Sequence, residues 1–156
     1  MRAGINTKTK FKTDDYTTPT EAFELLFEYI PRDKMVWSPF YCKGKLNMPT
    51  DIKYIHTDKD FFTYEPDTYD MIVDNPPYSL KKEIFERCET IGKPYALLVP
   101  FDTLERQYMN NIFKTKDVTV IVPKKRYKFN DNKVTMPFKS VFICVGFGLD
   151  KQLIFE

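Results

Sequence analysis

The stretch Tyr69-Asp70-Met71-Ile72-Val73-Asp74-Asn75-Pro76-Pro77-Tyr78 decides how the chain folds. Its first half is a short apolar run of the kind that forms a buried strand. Two consecutive prolines then end the ladder, because neither carries a backbone donor. The chain must therefore leave the sheet rigidly at Asn75. Ser79 follows as a predicted helix N-cap, with Leu80-Lys81-Lys82-Glu83-Ile84-Phe85-Glu86-Arg87-Cys88 as the helix. A strand end, a stiff polar turn and an aromatic ring make a compact place for a planar ligand. In open α/β sheets, ligands bind at the carboxyl ends of strands.

Upstream, Phe23, Leu26, Phe27 and Ile30 fall on one helical stripe, with Thr18 as the cap, Pro19 in the first turn and Pro31 as the stop. Strands are predicted over 34–38 and 53–57. The loops after them are too short, and at Pro66 too broken, for a full crossover helix. Downstream, the predicted helix from Ser79 to about Thr90 is closed by Gly92 and Pro94. Tyr95-Ala96-Leu97-Leu98-Val99 reads as a central parallel strand. A helix over 103–113 and a strand over 118–122 follow. Residues 123–137 read as a polar loop and 140–147 as a last strand. No helix separates the final two strands, so they are free to pair antiparallel. Leu153-Ile154-Phe155 offers a short edge. The pattern is α/β, a mostly parallel sheet reduced in helices and ending antiparallel.

Composition sets the bounds. A chain of 156 residues, 42% hydrophobic with 14 Phe and 10 Tyr, suits one core-forming domain. Residues 14–156 are assigned to it. Residues 1–13 carry Arg2, Lys8, Lys10 and Lys12 and read as a flexible basic arm, either a plain terminus or a phosphate contact. The net charge of +2 does not by itself announce a nucleic-acid binder. Cys42, Cys88 and Cys144 are few, odd in number and widely spaced, as in reduced cytoplasmic proteins. There is no predicted signal peptide, membrane span or metal-ligand spacing. His56, the only histidine, reads as strand-end packing ahead of catalysis.

The order Thr-Pro helix, strand-Pro-Phe-Tyr loop, strand-Asp, Asn-Pro-Pro-Tyr and strand-Pro-Phe resembles the S-adenosylmethionine-dependent amino-methyltransferases. The likeness spans about residues 16–147. It is strongest to the small adenine-specific (N6) DNA methyltransferases of the phage and restriction-modification type, whose signature matches Asn75-Pro76-Pro77-Tyr78. Methyltransferases acting on protein glutamine and on RNA guanine amines share that signature. The Pro-Phe-Tyr loop and the tracts Arg126-Tyr127-Lys128-Phe129 and Pro137-Phe138-Lys139-Ser140 tip the likeness toward adenine. The resemblance implies a class I, Rossmann-like fold, a cytoplasmic enzyme, S-adenosylmethionine as cofactor and DNA as partner. It places the cofactor's methionine portion between Tyr16, Thr17, Pro19 and Ser38, Pro39, Phe40, Gly44. Its ribose falls at Asp58 and its adenine at Asp60 and Phe61. The departure is the first loop, where Ser38 replaces the family's acid and Cys42 and Lys43 stand where small residues are expected.

The chemistry accounts for the motif. An exocyclic amine on a heteroaromatic ring is a poor nucleophile, because its lone pair is delocalised. The Asn75 side-chain oxygen and the Pro76 carbonyl can accept both its hydrogens, pyramidalising the nitrogen. Pro77 stiffens the turn and Tyr78 can stack on a flipped-out base. Lys124, Lys125, Arg126, Lys128, Lys133 and Lys139 form a predicted phosphate patch with Tyr127 and Phe129 interleaved for stacking. A solvated charged loop is the alternative. No room remains for a separate target-recognition domain, so specificity is low, lies in 123–137, or comes from a protein partner. The departures in the first loop support a rival, a degenerate methyltransferase fold that binds protein or nucleic acid without catalysis.

Overall fold

The computed structural model describes residues 16–156; the predicted basic arm lies outside them. In chain order come helix α1 (Thr20–Leu26), strands β1 (Val36–Trp37), β2 (Tyr54–Ile55) and β3 (Met71–Asp74), and helix α2 (Lys81–Ile91). Strand β4 (Tyr95–Pro100), helix α3 (Gln107–Thr115), β5 (Val118–Val122), β6 (Lys128–Phe129), β7 (Val134–Thr135), β8 (Ser140–Val145) and β9 (Leu153–Phe155) complete it. Seven strands form one sheet in the order β2-β1-β3-β4-β8-β5-β9. The first four are parallel, and β8 runs antiparallel between β4 and β5. β9 is parallel to β5.

Side-chain alternation along the strands divides the core in two. On one face Trp37, Ile72, Leu97, Val99, Val141 and Ile143 pack against Ile84, Phe85 and Cys88 of α2 and Met109 and Ile112 of α3. On the other, Val73, Ala96, Leu98, Ile121, Phe142 and Cys144 pack against Ala22, Phe23, Leu25 and Leu26 of α1. The central strands are buried on both faces, which is why they are continuously apolar. Phe23 and Leu26 are fully buried, and truncating either to alanine costs about 2–5 kcal/mol.

The antiparallel pairing of β8 and the missing crossover helices around β2 agree with the sequence pattern. Several boundaries differ. Helix α1 stops at Leu26, and a turn carries Phe27 and Ile30 onto the predicted stripe, both buried. Its cap position is Pro19, not Thr18. Ser79 lies inside a 3-10 turn, Tyr78–Leu80, so α2 begins at Lys81, one residue after the expected Leu80. The helix predicted over 103–113 is split into a 3-10 turn, Phe101–Glu105, and α3, because Arg106 is extended (φ −70°, ψ 138°). Residues 123–137 are not a plain loop: β6 and β7 form a hairpin. Its turn, Asn130-Asp131-Asn132, holds three successive positive φ values of 52°, 56° and 70°, a conformation that Asn and Asp tolerate best after glycine.

The strand order reverses beside β1, with β2 on one side and β3 and β4 on the other. The carboxyl ends of β1 and β3 therefore flank the topological switch point, where open α/β sheets form their clefts.

Candidate active site

Trp37 of β1 lies opposite Ile72 of β3, so the two strands release Ser38-Pro39-Phe40 and Asp74-Asn75-Pro76 side by side. Asp74 joins them. It is only 4% exposed, and both its oxygens accept backbone hydrogen bonds. Oδ2 takes the Phe40 N–H at 2.7 Å and Oδ1 the Asn75 N–H at 2.7 Å. Burial pushes its pKa up to about 7, even though those two donors favour the carboxylate. The buried Ser38 hydroxyl also favours the carboxylate, but makes no hydrogen bond of good geometry.

Asn75 uses one end of its side chain and leaves the other available. Nδ2 donates to Thr18 Oγ1 at 3.0 Å, while Oδ1 is buried with no hydrogen-bond partner. An unpaired buried acceptor of this kind costs about 1–3 kcal/mol and marks a place where a ligand donor belongs. Thr18 is itself held by Asn47, whose Nδ2 donates to the Thr18 carbonyl at 2.9 Å. A cavity of about 20 Å³, walled in part by Tyr16, Thr17, Thr18, Phe40, Asp74 and Asn75, opens here. That is room for about one water.

The loop after β1 narrows it. Cys42, Lys43 and Gly44 form a 3-10 turn with φ values of 48°, 54° and 82°. Two non-glycine residues in the left-handed region cost roughly 1–2 kcal/mol each. The loop is braced from outside. The Tyr41 ring stands 5.2 Å from that of His56 and lies so close over Gly44 that a Cβ there would be 3.2 Å from the Tyr41 Oη. His56 Nε2 reaches the Phe40 carbonyl at 3.2 Å, so Nε2 carries the proton. Burial lowers its pKa, favouring the neutral ring. This geometry gives His56 a supporting place behind the loop.

Of the residues predicted to hold a cofactor, Tyr16, Thr17 and Phe40 line the cavity; Pro19, Ser38, Pro39 and Gly44 belong to the same segments without lining it. Asp58, Asp60 and Phe61 sit after β2 and do not line it. Asp60 Oδ1 accepts the Phe62 N–H at 2.9 Å. Phe61 is buried against Trp37 and Phe40, with ring centroids 5.3 and 5.2 Å apart.

On the far side of Asn75, the Tyr78 ring meets Phe138 edge-on at 5.8 Å. Lys81 Nζ lies 5.8 Å from the Tyr78 ring centre and donates to Thr103 Oγ1 at 3.2 Å. Phe101, 45% exposed at the end of β4, donates its N–H to the Lys139 carbonyl at 2.9 Å. Phe138 is thereby held beside the motif. The sequence reading overlooked Asp74 as a site residue, Thr18 as the partner of Asn75, and Phe138 as a ring partner. The one available signal was an acid at the last position of an otherwise apolar strand.

Lys124, Lys125, Arg126 and Lys128 are exposed and Lys139 half-buried. Lys139 Nζ donates to the Lys124 carbonyl at 3.3 Å, which joins the two parts of the patch. The interleaved aromatics do not serve it: Tyr127 and Phe129 are 5% and 0% exposed, packed into the α1-side core. They are unavailable to stack on bases, because the β6–β7 hairpin turns them inward.

No family model matches the chain, and no curated protein sequence matches it. A likeness appears at the level of structure. A crystal structure from Listeria monocytogenes, provisionally assigned as a class I S-adenosylmethionine-dependent methyltransferase, superposes with a TM-score of 0.52 at 14% identity. The match covers 96% of this chain and 68% of that one. The fold is thus class I methyltransferase-like, a mostly parallel Rossmann-like sheet with one antiparallel strand inserted near its end. No helix among the described residues is long and apolar enough to cross a membrane.

Proposed function

We propose that the chain transfers a methyl group from S-adenosylmethionine to the exocyclic amine of adenine in DNA. The observation that carries this reading is the unpartnered, buried Oδ1 of Asn75 at the switch point. Asn75 Oδ1 and the Pro76 carbonyl accept the two amine hydrogens, which localises the nitrogen lone pair and aims it. Pro76 and Pro77 fix the direction of that carbonyl. Tyr78, steadied by Phe138, offers a ring to the base. The methylated amine passes its extra proton to water, so no strong base is required.

The donor and acceptor set fits the cofactor. The Thr17 and Thr18 hydroxyls are what its polar groups would meet, since both Asp74 oxygens are taken by backbone N–H groups. S-adenosylmethionine supplies an electrophilic methyl group when bound. The space does not fit it with the loop over residues 41–46 in this position, because the cavity holds about one water. DNA is the proposed partner, and a protein subunit the proposed source of sequence specificity.

Titration with S-adenosylmethionine, followed by transfer of labelled methyl to DNA, RNA and protein, tests the reading. Binding with transfer to adenine in DNA is expected. Transfer to RNA or to protein glutamine alone would move the substrate and keep the mechanism. The narrow cavity and the strained Cys42-Lys43 turn favour a second reading, a non-catalytic fold that binds nucleic acid or protein. Absence of cofactor binding at millimolar concentration would decide for it.

A further inference from the structure

We infer that Asp74 is a positioning residue that couples the loop after β1 to the amine-holding turn after β3; its consequence for turnover rests on the methyl-transfer reading. The carboxylate bridges two chain exits that are 34 residues apart in sequence and adjacent in space. One oxygen holds Phe40 N and the other Asn75 N, each at 2.7 Å. The side chain is almost wholly buried, so water cannot replace either bond. A ligand larger than the cavity that shifted the segment carrying Phe40 would strain the Phe40 bond to Asp74. That displacement pulls on the same rigid three-atom group that orients Asn75. The cavity's Lys45 and the nearby His56 make no hydrogen bond to Asp74; His56 reaches the Phe40 carbonyl instead. An amide at position 74 keeps one acceptor and turns an NH2 toward the second backbone donor, so Asp74→Asn cuts the bridge while preserving shape.

The test begins without ligand. Gly44→Ala strains the first loop at φ 82° without touching β3. Hydrogen exchange at the Asn75 amide is expected to change severalfold in Gly44→Ala relative to wild type. It is expected to stay level between Asp74→Asn and the double variant. An equal change in both backgrounds would overturn the coupling. If Gly44→Ala does not fold, Asp74→Asn alone decides: faster hydrogen exchange at both the Phe40 and Asn75 amides supports the bridge, and a change at one or neither refutes it. For turnover, Asp74→Asn is expected to lower kcat at least tenfold with KM for a DNA duplex changed less than threefold. An unchanged kcat would remove the functional role. A wild type that binds no S-adenosylmethionine sinks the methyl-transfer reading, and the exchange result still judges the bridge.

Discussion

Thr17 and Asn130 exchange two hydrogen bonds: the Thr17 N–H donates to Asn130 Oδ1 at 2.7 Å, and the Asn130 N–H donates to the Thr17 carbonyl at 3.0 Å. This pair docks the segment before α1 onto the turn of the β6–β7 hairpin, 113 residues away. It fixes Thr17 and Thr18, which wall the cavity.

Asn130 also sits at φ 52°. Asn130→Ala therefore loses a side-chain hydrogen bond, about 1 kcal/mol, and adds left-handed strain of about 1 kcal/mol. Asn130→Gly loses the bond and adds glycine's chain entropy but avoids the strain. Urea unfolding is expected to rank the variants wild type, Gly, Ala in falling stability. Cofactor affinity is expected to weaken in both. Equal stability of the Gly and Ala variants would remove the strain argument.

Asn75→Ala separates function from fold. The lost Nδ2 bond to Thr18 costs about 1 kcal/mol, partly offset because an unpaired buried oxygen also disappears. Thermal stability should change little. Removing a preorganised polar group that acts on the reacting centre typically costs about 10²–10³-fold in rate. Methyl transfer should fall by roughly that factor with cofactor binding largely kept. Transfer that survives the change would sink the assigned mechanism.

Asp74 gives stability a pH dependence whose sign is fixed. Its folded pKa, about 7, is raised above the unfolded value of about 3.9. A raised carboxyl contributes stability fully below about pH 4 and loses it as pH climbs to 7, because the folded chain must then bury a charge. A rise of about three pKa units corresponds to roughly 4 kcal/mol. Denaturant unfolding between pH 4 and 8 should show wild type losing stability relative to Asp74→Asn, with the difference level above pH 7. Parallel curves would mean that Asp74 does not titrate in that window.

Where a feature was local, the sequence displayed it. Two prolines after an apolar run can only end a strand, and two apolar strands without a helix between them are free to pair antiparallel. The features that escaped depend on remote partners. Asp74 looks like a polar strand end until β1 is placed beside it and Phe40 N is found on its oxygen. Thr18 has the sequence position of a helix cap, yet its hydroxyl serves Asn75, 57 residues away. Tyr127 and Phe129 alternate with basic residues as stacking residues would. A turn of three left-handed residues hides the hairpin that buries them. The break at Arg106 has no local breaker at all, since neither Gly nor Pro stands there.

Lys43, at φ 54° in the first loop, is the place to ask whether that loop gates the cavity. Lys43→Gly removes strain of about 1 kcal/mol and adds a comparable entropic cost, so stability should stay within about 1 kcal/mol. A β-branched residue suits the left-handed region worst, and Lys43→Val is expected to destabilise by about 1–3 kcal/mol. Because Lys43→Gly loosens the loop, S-adenosylmethionine should bind faster to it than to wild type by stopped-flow measurement. Equal association rates would show that the loop does not limit access.

The proposed DNA partner makes the basic patch testable. Lys124, Lys125 and Arg126 are exposed, so changing all three to glutamine should leave the melting temperature nearly unaltered. The Lys124 N–H bond to Glu156 Oε1, at 2.8 Å, involves only the backbone of Lys124 and survives the change. Each phosphate that the variant no longer neutralises lowers the slope of log affinity against log salt by about 0.9 on duplex DNA. The triple variant should therefore bind DNA more weakly at low salt and converge with wild type as salt rises. With Tyr127 and Phe129 buried, any contribution of this patch to DNA binding is expected to be electrostatic rather than by base stacking. Affinity and slope unchanged from wild type would take residues 124–126 out of the proposed DNA-binding surface and leave Lys128, Lys133 and Lys139 of the predicted patch.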